Sequence, residues 1–283
     1  MADDALAFAY SHCEELVRDV DEDRFLAAQF SPADKRPHLF ALYAFSHEIA
    51  RVRDSVREAM IGEIRLQWWR DTLQGEARGD VKANPIAAAL DHTIVKFRLP
   101  RQALVDLIDA RVFDLYDDAM PSLNDLEGYC GETSSSLFRF ASIILCDGID
   151  PGSADAAGHA GVAYAITGLL RAFPWHARRG QIYIPAEILE RHGVVRDDIV
   201  SGRGGPGLAG ALGDLRAVAR WHLEQTRSLR ATIRPDVKPA YRSLALVEPY
   251  LRRMERADYD PFNTPVDVEK WRKIWALWRG WAA

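Results

Sequence analysis

The sequence predicts an all-α protein, a single helical bundle over residues 1–283. Apolar residues recur at helical spacing in one segment after another. The breaks between segments hold proline, glycine or a small polar cap residue. No set of alternating apolar and polar runs reads as strands.

Residues 5–19 form a first helix, and 25–30 lead into a second. Ser31-Pro32-Ala33-Asp34 reads as a helix start, a serine cap with proline behind it. The helix that follows covers 35–56, with Leu39, Leu42, Tyr43, Phe45, Ile49 and Val52 near helical spacing. Residues 59–76 form the next, with Trp69 expected in the core and Trp68 left open. Helices over 84–97, 100–116 and 122–145 come after it, the last containing the polar run Glu132-Thr133-Ser134-Ser135-Ser136. Mid-helix serines either permit close packing or bond back to the backbone. Residues 154–173 form the central helix, which Pro174 should end or kink. Tyr183-Ile184-Pro185 is extended, because the residue before proline avoids the α region. A short helix over 185–192 closes at Gly193. The glycine-rich 201–213, SGRGGPGLAGALG, reads as a flexible loop. It has no GK[ST] ending and no preceding strand, so it is not a phosphate loop. Helices over 215–233, 239–257 and 266–281 complete the chain.

The composition, 48% apolar and 27% charged, is that of an ordinary globular domain with ample material for a core. A net charge of −5 carries no nucleic-acid footprint. Three scattered cysteines argue for a reducing compartment and against a disulfide or zinc framework. The acidic N-terminus lacks the pattern of a secretory signal, and no apolar run is long enough to span a bilayer. A cytoplasmic location is expected.

Two segments carry the chemistry: KRPHLFALYAFSHEIARVRD at 35–54 and LLRAFPWHARRGQIYIP at 169–185. Both resemble the squalene/phytoene synthase family, which joins two prenyl diphosphates head to head. Supporting similarity runs through 104–114 and 129–145. The resemblance implies an isoprenoid-synthase-like bundle with a central cavity. In active members each segment carries an aspartate-rich motif, because magnesium needs hard oxygen ligands to hold a diphosphate leaving group. The first motif falls on Ala50 and Asp54, and only Asp54 is acidic. The second falls on Ala172, Trp175 and His176, with Ala165 and Gly168 at the polar positions before it. One carboxylate cannot hold a magnesium cluster, and imidazole nitrogen is a poor magnesium ligand. Glu58, one turn beyond Asp54, is a weak second metal candidate. His47 shares the face of Ala50 and Asp54; a structural role is expected for it, over a transition-metal pair with His176. Arg171, Arg178, Arg179, Gln181 and Tyr183 match the diphosphate side of the family, and arginine recognises phosphate bidentately. These residues, with Asp54 and His47, are the candidate ligand set. The alternative, weighted slightly above it, is that the arginines are solvated or pair with acidic residues of neighbouring helices.

The blocks at 44–56, 61–73, 169–189 and 258–281 are more similar to a non-catalytic branch, the mitochondrial assembly factor for respiratory complex I. That resemblance implies an assembly or binding role, a respiratory-complex subunit as partner and a peripheral place at the inner membrane. Two alternatives stand beside it. One is a divergent prenyl transferase using magnesium, Asp54, Glu58 and the arginines; the other is an isoprenoid lipid carrier. In the last helix, Trp271, Ile274, Trp275, Trp278 and Trp281 form one stripe. Such a stripe either lies on a membrane or docks on the bundle; a core position is expected.

Overall fold

The computed structural model describes residues 2–280, and all of its regular structure among these is helical. The first helix, α1 (Ala2–Val20), buries Ala9, Cys13 and Val17, four residues apart on one face. Asp21 caps the short α2 (Glu22–Ala28) by accepting from the Arg24 amide. α3 (Arg36–Ala50) is apolar nearly all round and runs through the interior, with Leu39, Leu42 and Phe45 fully covered. It starts at Arg36 with Pro37 in its first turn. Ser31 therefore does not cap it, and its buried hydroxyl has no hydrogen-bond partner. The expected helix over 35–56 also breaks at Arg51, after which α4 (Val52–Ser55) forms one turn.

α5 (Ala59–Gln74) follows, with Trp69 buried and Trp68 partly covered. A 3₁₀ turn at Val81–Ala83 leads to α6 (Pro85–Phe97), which Asn84 caps through two backbone amides. α7 (Arg101–Ala110) tightens into a 3₁₀ segment, Arg111–Leu115. A reciprocal Ser122–Asp125 capping box starts α8 (Leu123–Cys130). The polar run then winds as a π-helical turn, Gly131–Ser135, before α9 (Ser136–Leu145). Both serine readings apply there. Thr133 and Ser136 bond back to carbonyls four residues earlier, whereas Ser135 donates across to the Gly158 carbonyl at 2.7 Å.

That carbonyl belongs to α10 (Ala154–Arg171), the central helix, whose small residues Ala156, Ala157, Ala160, Gly161 and Ala163 let its neighbours approach. Pro174 ends it as expected and sits in the first turn of α11 (Phe173–Arg178). α12 (Ala186–Arg191) and α13 (Arg196–Val200) are short.

The glycine-rich segment is not a loop throughout. α14 (Pro206–Ser228) begins inside it, with proline at the first position. Gly207 and Gly210 are there for space, since a Cβ would stand 2.6 Å from the His192 carbonyl oxygen and 2.5 Å from its ring. Residues 239–257 divide into a 3₁₀ segment, Lys238–Leu246, and α15 (Val247–Arg253). α16 (Lys270–Arg279) closes the chain, and Trp281 lies outside the described residues.

Buried apolar side chains from Ala9 to Leu277 form one continuous core. Cys13, Cys130 and Cys146 are free and buried within it. Burial pushes the thiols of Cys13 and Cys130 up to about 12, so neither is a nucleophile at neutral pH. Among the described residues no helix is long and apolar enough to cross a membrane.

Candidate functional site

The two segments singled out in the sequence meet at one end of the bundle. The end of α3 and α4 supply His47, Ala50, Arg51, Arg53 and Asp54 to a cleft of about 220 Å³. The 3₁₀ segment adds Arg111 and Asp114; α10, α11 and the non-helical stretch after them add Leu169, Trp175, His176, Gln181 and Tyr183. Local chemistry sets that arrangement. Pro174 breaks the helix at Ala172, and Gly180, at φ +75°, turns the chain out of α11 into a non-helical stretch at 181–185. Ile182 and Ile184 then enter the core.

Asp114 is the buried hub of the cleft. Its carboxylate accepts from the hydroxyls of Tyr183 at 2.6 Å and Tyr129 at 2.8 Å, and from Arg111 Nη1 at 3.0 Å. Gln181 Nε2 donates to its backbone oxygen at 2.7 Å. Burial pushes both tyrosine hydroxyls well above their ordinary range, which keeps them as donors. Arg111 and Tyr129 were not singled out in the sequence. The one local signal was the Arg111–Asp114 spacing, three residues apart on a turn.

Asp54 of the cleft forms an ion pair with Arg179, which lies just outside the cleft lining. The Arg179 guanidinium also stacks over the exposed Trp175 ring, 4.8 Å from its centroid. His176 packs on Tyr183, ring centroids 4.8 Å apart, and burial pushes it down to about 4. Burial lowers His47 as well. At neutral pH His176 therefore brings no positive charge to an anion.

The structure does not bring the whole candidate set together. Arg171 leaves the cleft: it donates to Asp23 at 2.8 Å and lies over the Tyr250 ring. Arg178 is exposed and is not part of the cleft lining. Glu58 stands exposed at the N-terminal boundary of α5, makes no side-chain capping bond there, and does not line the cleft either. Arg51 pairs with Glu48 and Arg53 with Asp117, each at 3.3 Å. Each arginine of the cleft lining faces a carboxylate; of the three arginines singled out in the sequence, Arg171 and Arg179 pair with Asp23 and Asp54, and Arg178 is exposed.

Beneath the cleft, Leu126, Ile166, Leu169, Leu170, Phe173 and Leu215 enclose an apolar space of about 20 Å³. Pockets that bury a drug-sized ligand run to about 300–1,000 Å³. The cleft has room for a small anion, while the apolar space directly beneath it is too small for a long chain. A groove of about 960 Å³ lies elsewhere, between α1 and α5 to α7, and contains none of these residues.

The match to a sequence model of the squalene/phytoene synthase family extends over residues 17–279, and the chain belongs to that family. A human relative, NADH dehydrogenase (ubiquinone) complex I, assembly factor 6, is 31% identical over 276 residues, covering 93% of this chain and 82% of the relative. Phytoene synthase 3 of Zea mays is 27% identical over 283 residues, covering 97% and 66%. Among solved structures, a dehydrosqualene synthase in complex with ligand superposes with TM-score 0.81 at 20% identity, covering 97% of this chain and 95% of that one. Squalene synthase HpnC from Alicyclobacillus acidocaldarius gives 0.74 at 24% identity, covering 91% and 97%. These two likenesses show the isoprenoid-synthase fold.

The cleft residues do not fit the magnesium cluster that the family resemblance implies. Asp114 already accepts from two hydroxyls and a guanidinium, and Asp54 is paired with Arg179. Among the described residues no group of three or more His, Cys, Asp or Glu side chains is placed to hold a metal ion. Asp54 competes with any anion for Arg179. Replacing Asp54 with alanine is expected to tighten inorganic pyrophosphate binding by up to about fivefold, since a half-exposed pair is worth at most about 1 kcal/mol. Calorimetry without added magnesium measures this, and an unchanged affinity would place the anion away from Arg179.

Proposed function

We propose that this chain is a degenerate, non-catalytic member of its family that serves as an assembly or binding factor for a respiratory NADH–quinone oxidoreductase. The observation that carries the reading is the Asp54–Arg179 ion pair: the surviving carboxylate of the first motif is neutralised at the cleft. Ala50, Ala172, Trp175 and His176 stand where the other motif carboxylates would be. The 31% identity to complex I assembly factor 6 supports the same direction. On this reading the partner is a subunit of the respiratory complex, met at the cytoplasmic face of the inner membrane.

Depleting the protein in its own cells is expected to lower NADH–quinone oxidoreductase activity in isolated membranes, and the Asp54→Ala form is expected to restore it. The rival reading, a divergent prenyl transferase, requires magnesium-dependent diphosphate release from prenyl diphosphates by the pure protein, abolished by the same substitution. Observing that release would sink the assembly reading. The three arginines of the cleft lining, Arg51, Arg53 and Arg111, favour a second possibility, retention of an anionic isoprenoid lipid by its headgroup without turnover. Mass spectrometry of lipid extracted from the purified protein tests it, and an empty extract would dismiss it.

A further inference from the structure

The last helix faces the opposite way from the core position its sequence stripe suggests. On α16, Trp271, Ile274, Trp275 and Trp278 point outward, 64%, 47%, 54% and 70% exposed. The buried residues are Lys273 and Leu277, on the other side. A polar network fixes this orientation. Lys273 Nζ lies 3.0 Å from Glu22, 3.1 Å from Asp23 and 3.1 Å from Asp267. Arg242 Nη1 donates to the Leu277 carbonyl at 2.8 Å and holds the end of the helix. Turning the tryptophans inward would break Lys273 away from three carboxylates, so their exposure is built into the fold.

Residues three and four apart share one helix face, so the four apolar side chains form a continuous strip. A rimmed apolar patch of this kind on a soluble surface marks an interaction site. Its chemistry points to one occupant. Between residues 270 and 279 the helix carries four cations and no acid. Lys273 is used internally, while Lys270 and Arg272 make exposed pairs with Glu22 and Glu269 at 3.0 and 2.9 Å, which are weak and open to exchange with a phosphate. Arg272 and Arg279 lay their guanidinium groups over Trp271 and Trp275, at 5.1 and 4.6 Å from the ring centroids. Tryptophan with arginine beside it suits the headgroup layer, where the indole ring is half wet and anionic phosphates accept from the cation.

We propose that α16 docks the protein on an anionic lipid bilayer, its axis in the membrane plane and its indoles at headgroup depth. The inference stands on this surface alone and does not require the assembly role.

The test is flotation of the full chain with vesicles of phosphatidylcholine, or of phosphatidylcholine mixed with an equal part of phosphatidylglycerol. The protein is expected to float with the mixed vesicles only, and to sink again as salt shortens the electrostatic range. Brominated acyl chains are expected to quench its tryptophan emission. Trp271→Ser, Trp275→Ser and Trp278→Ser combined should abolish flotation while leaving circular dichroism and melting temperature unchanged, because all three rings are solvent-facing. Failure of the unaltered chain to float on either vesicle overturns the proposal. So does flotation of the triple variant at the same level. A dimer in light scattering that the triple variant dissolves, without vesicle binding, would reassign the strip to contact between copies.

Discussion

Replacing Asp23 with alanine is expected to lower the stability of the protein by about 3–5 kcal/mol, the usual cost of removing one partner from a buried charge network. Asp23 is buried in the first turn of α2. Its carboxylate accepts from Arg171 Nη1 at 2.8 Å and from the Tyr250 hydroxyl at 2.7 Å, and Lys273 Nζ approaches at 3.1 Å. Helices α10, α15 and α16 therefore converge on one side chain of α2. Without it, Arg171 and Lys273 stay in a low-dielectric interior with less compensating charge. Burial alone would lower the Lys273 ammonium, yet the attraction of Asp23 and Glu22 raises it above the ordinary lysine range. At about 2–4 °C per kcal/mol for a large domain, the melting temperature should fall by roughly 10 °C. Asp23→Asn keeps the shape, removes the charge and should lose nearly as much. Urea denaturation of both variants decides the matter. A loss below about 1 kcal/mol in both would mean that the cluster tolerates its own excess positive charge, contrary to the low-dielectric argument.

That network also marks where sequence reading stops. Lys273 and Glu22 are 251 residues apart, and Arg171 and Asp23 are 148 apart. Helical periodicity says which residues share a face. It does not say which face turns inward when one side holds tryptophans and the other a lysine. The stripe of α16 was legible, and its direction was not, because distant carboxylates decided it. Arg171 is the same case: it matched a ligand-binding pattern and was taken by a buried acid from the other end of the chain. Where the determining chemistry was local, the reading mostly held, the Ser31 start signal being the exception. Asn84 and Ser122 start helices as their types predict, and Pro174 ends the central one. The glycines at 207 and 210 lie between. Glycine-rich composition suggested mobility, whereas His192 from another segment requires their lack of a side chain. At the cleft, Asp54, His176, Gln181 and Tyr183 were found from the two motif segments. Arg111 and Tyr129 escaped because their role exists only once Asp114 is buried between them.

The central helix offers a matched pair of substitutions with opposite expected signs. Gly158 and Gly161 are three residues apart on α10, so alanine carries the same helix-propensity gain at either, up to about 1 kcal/mol. At Gly158 a new Cβ meets nothing within 4 Å. Gly158→Ala should therefore stabilise. At Gly161 the Cβ would stand 2.2 Å from the Ser135 Cα and 2.3 Å from its amide nitrogen. These are backbone atoms of the π-helical turn, so no side chain can swing aside. The turn would have to move away from α10, breaking the Ser135–Gly158 hydrogen bond and opening the packing beneath the cleft. Overpacking against a tightly filled interior costs about 1–3 kcal/mol, and more where backbone must shift. Gly161→Ala should thus lose at least about 2 kcal/mol net of its propensity gain, with a visible change in near-ultraviolet dichroism. If the two variants shift stability in the same direction by similar amounts, the close contact of α10 with the π-helical turn does not limit packing. The apolar centre would then have slack enough to open for a larger ligand, and the case against a prenyl chain in the bundle would weaken with it.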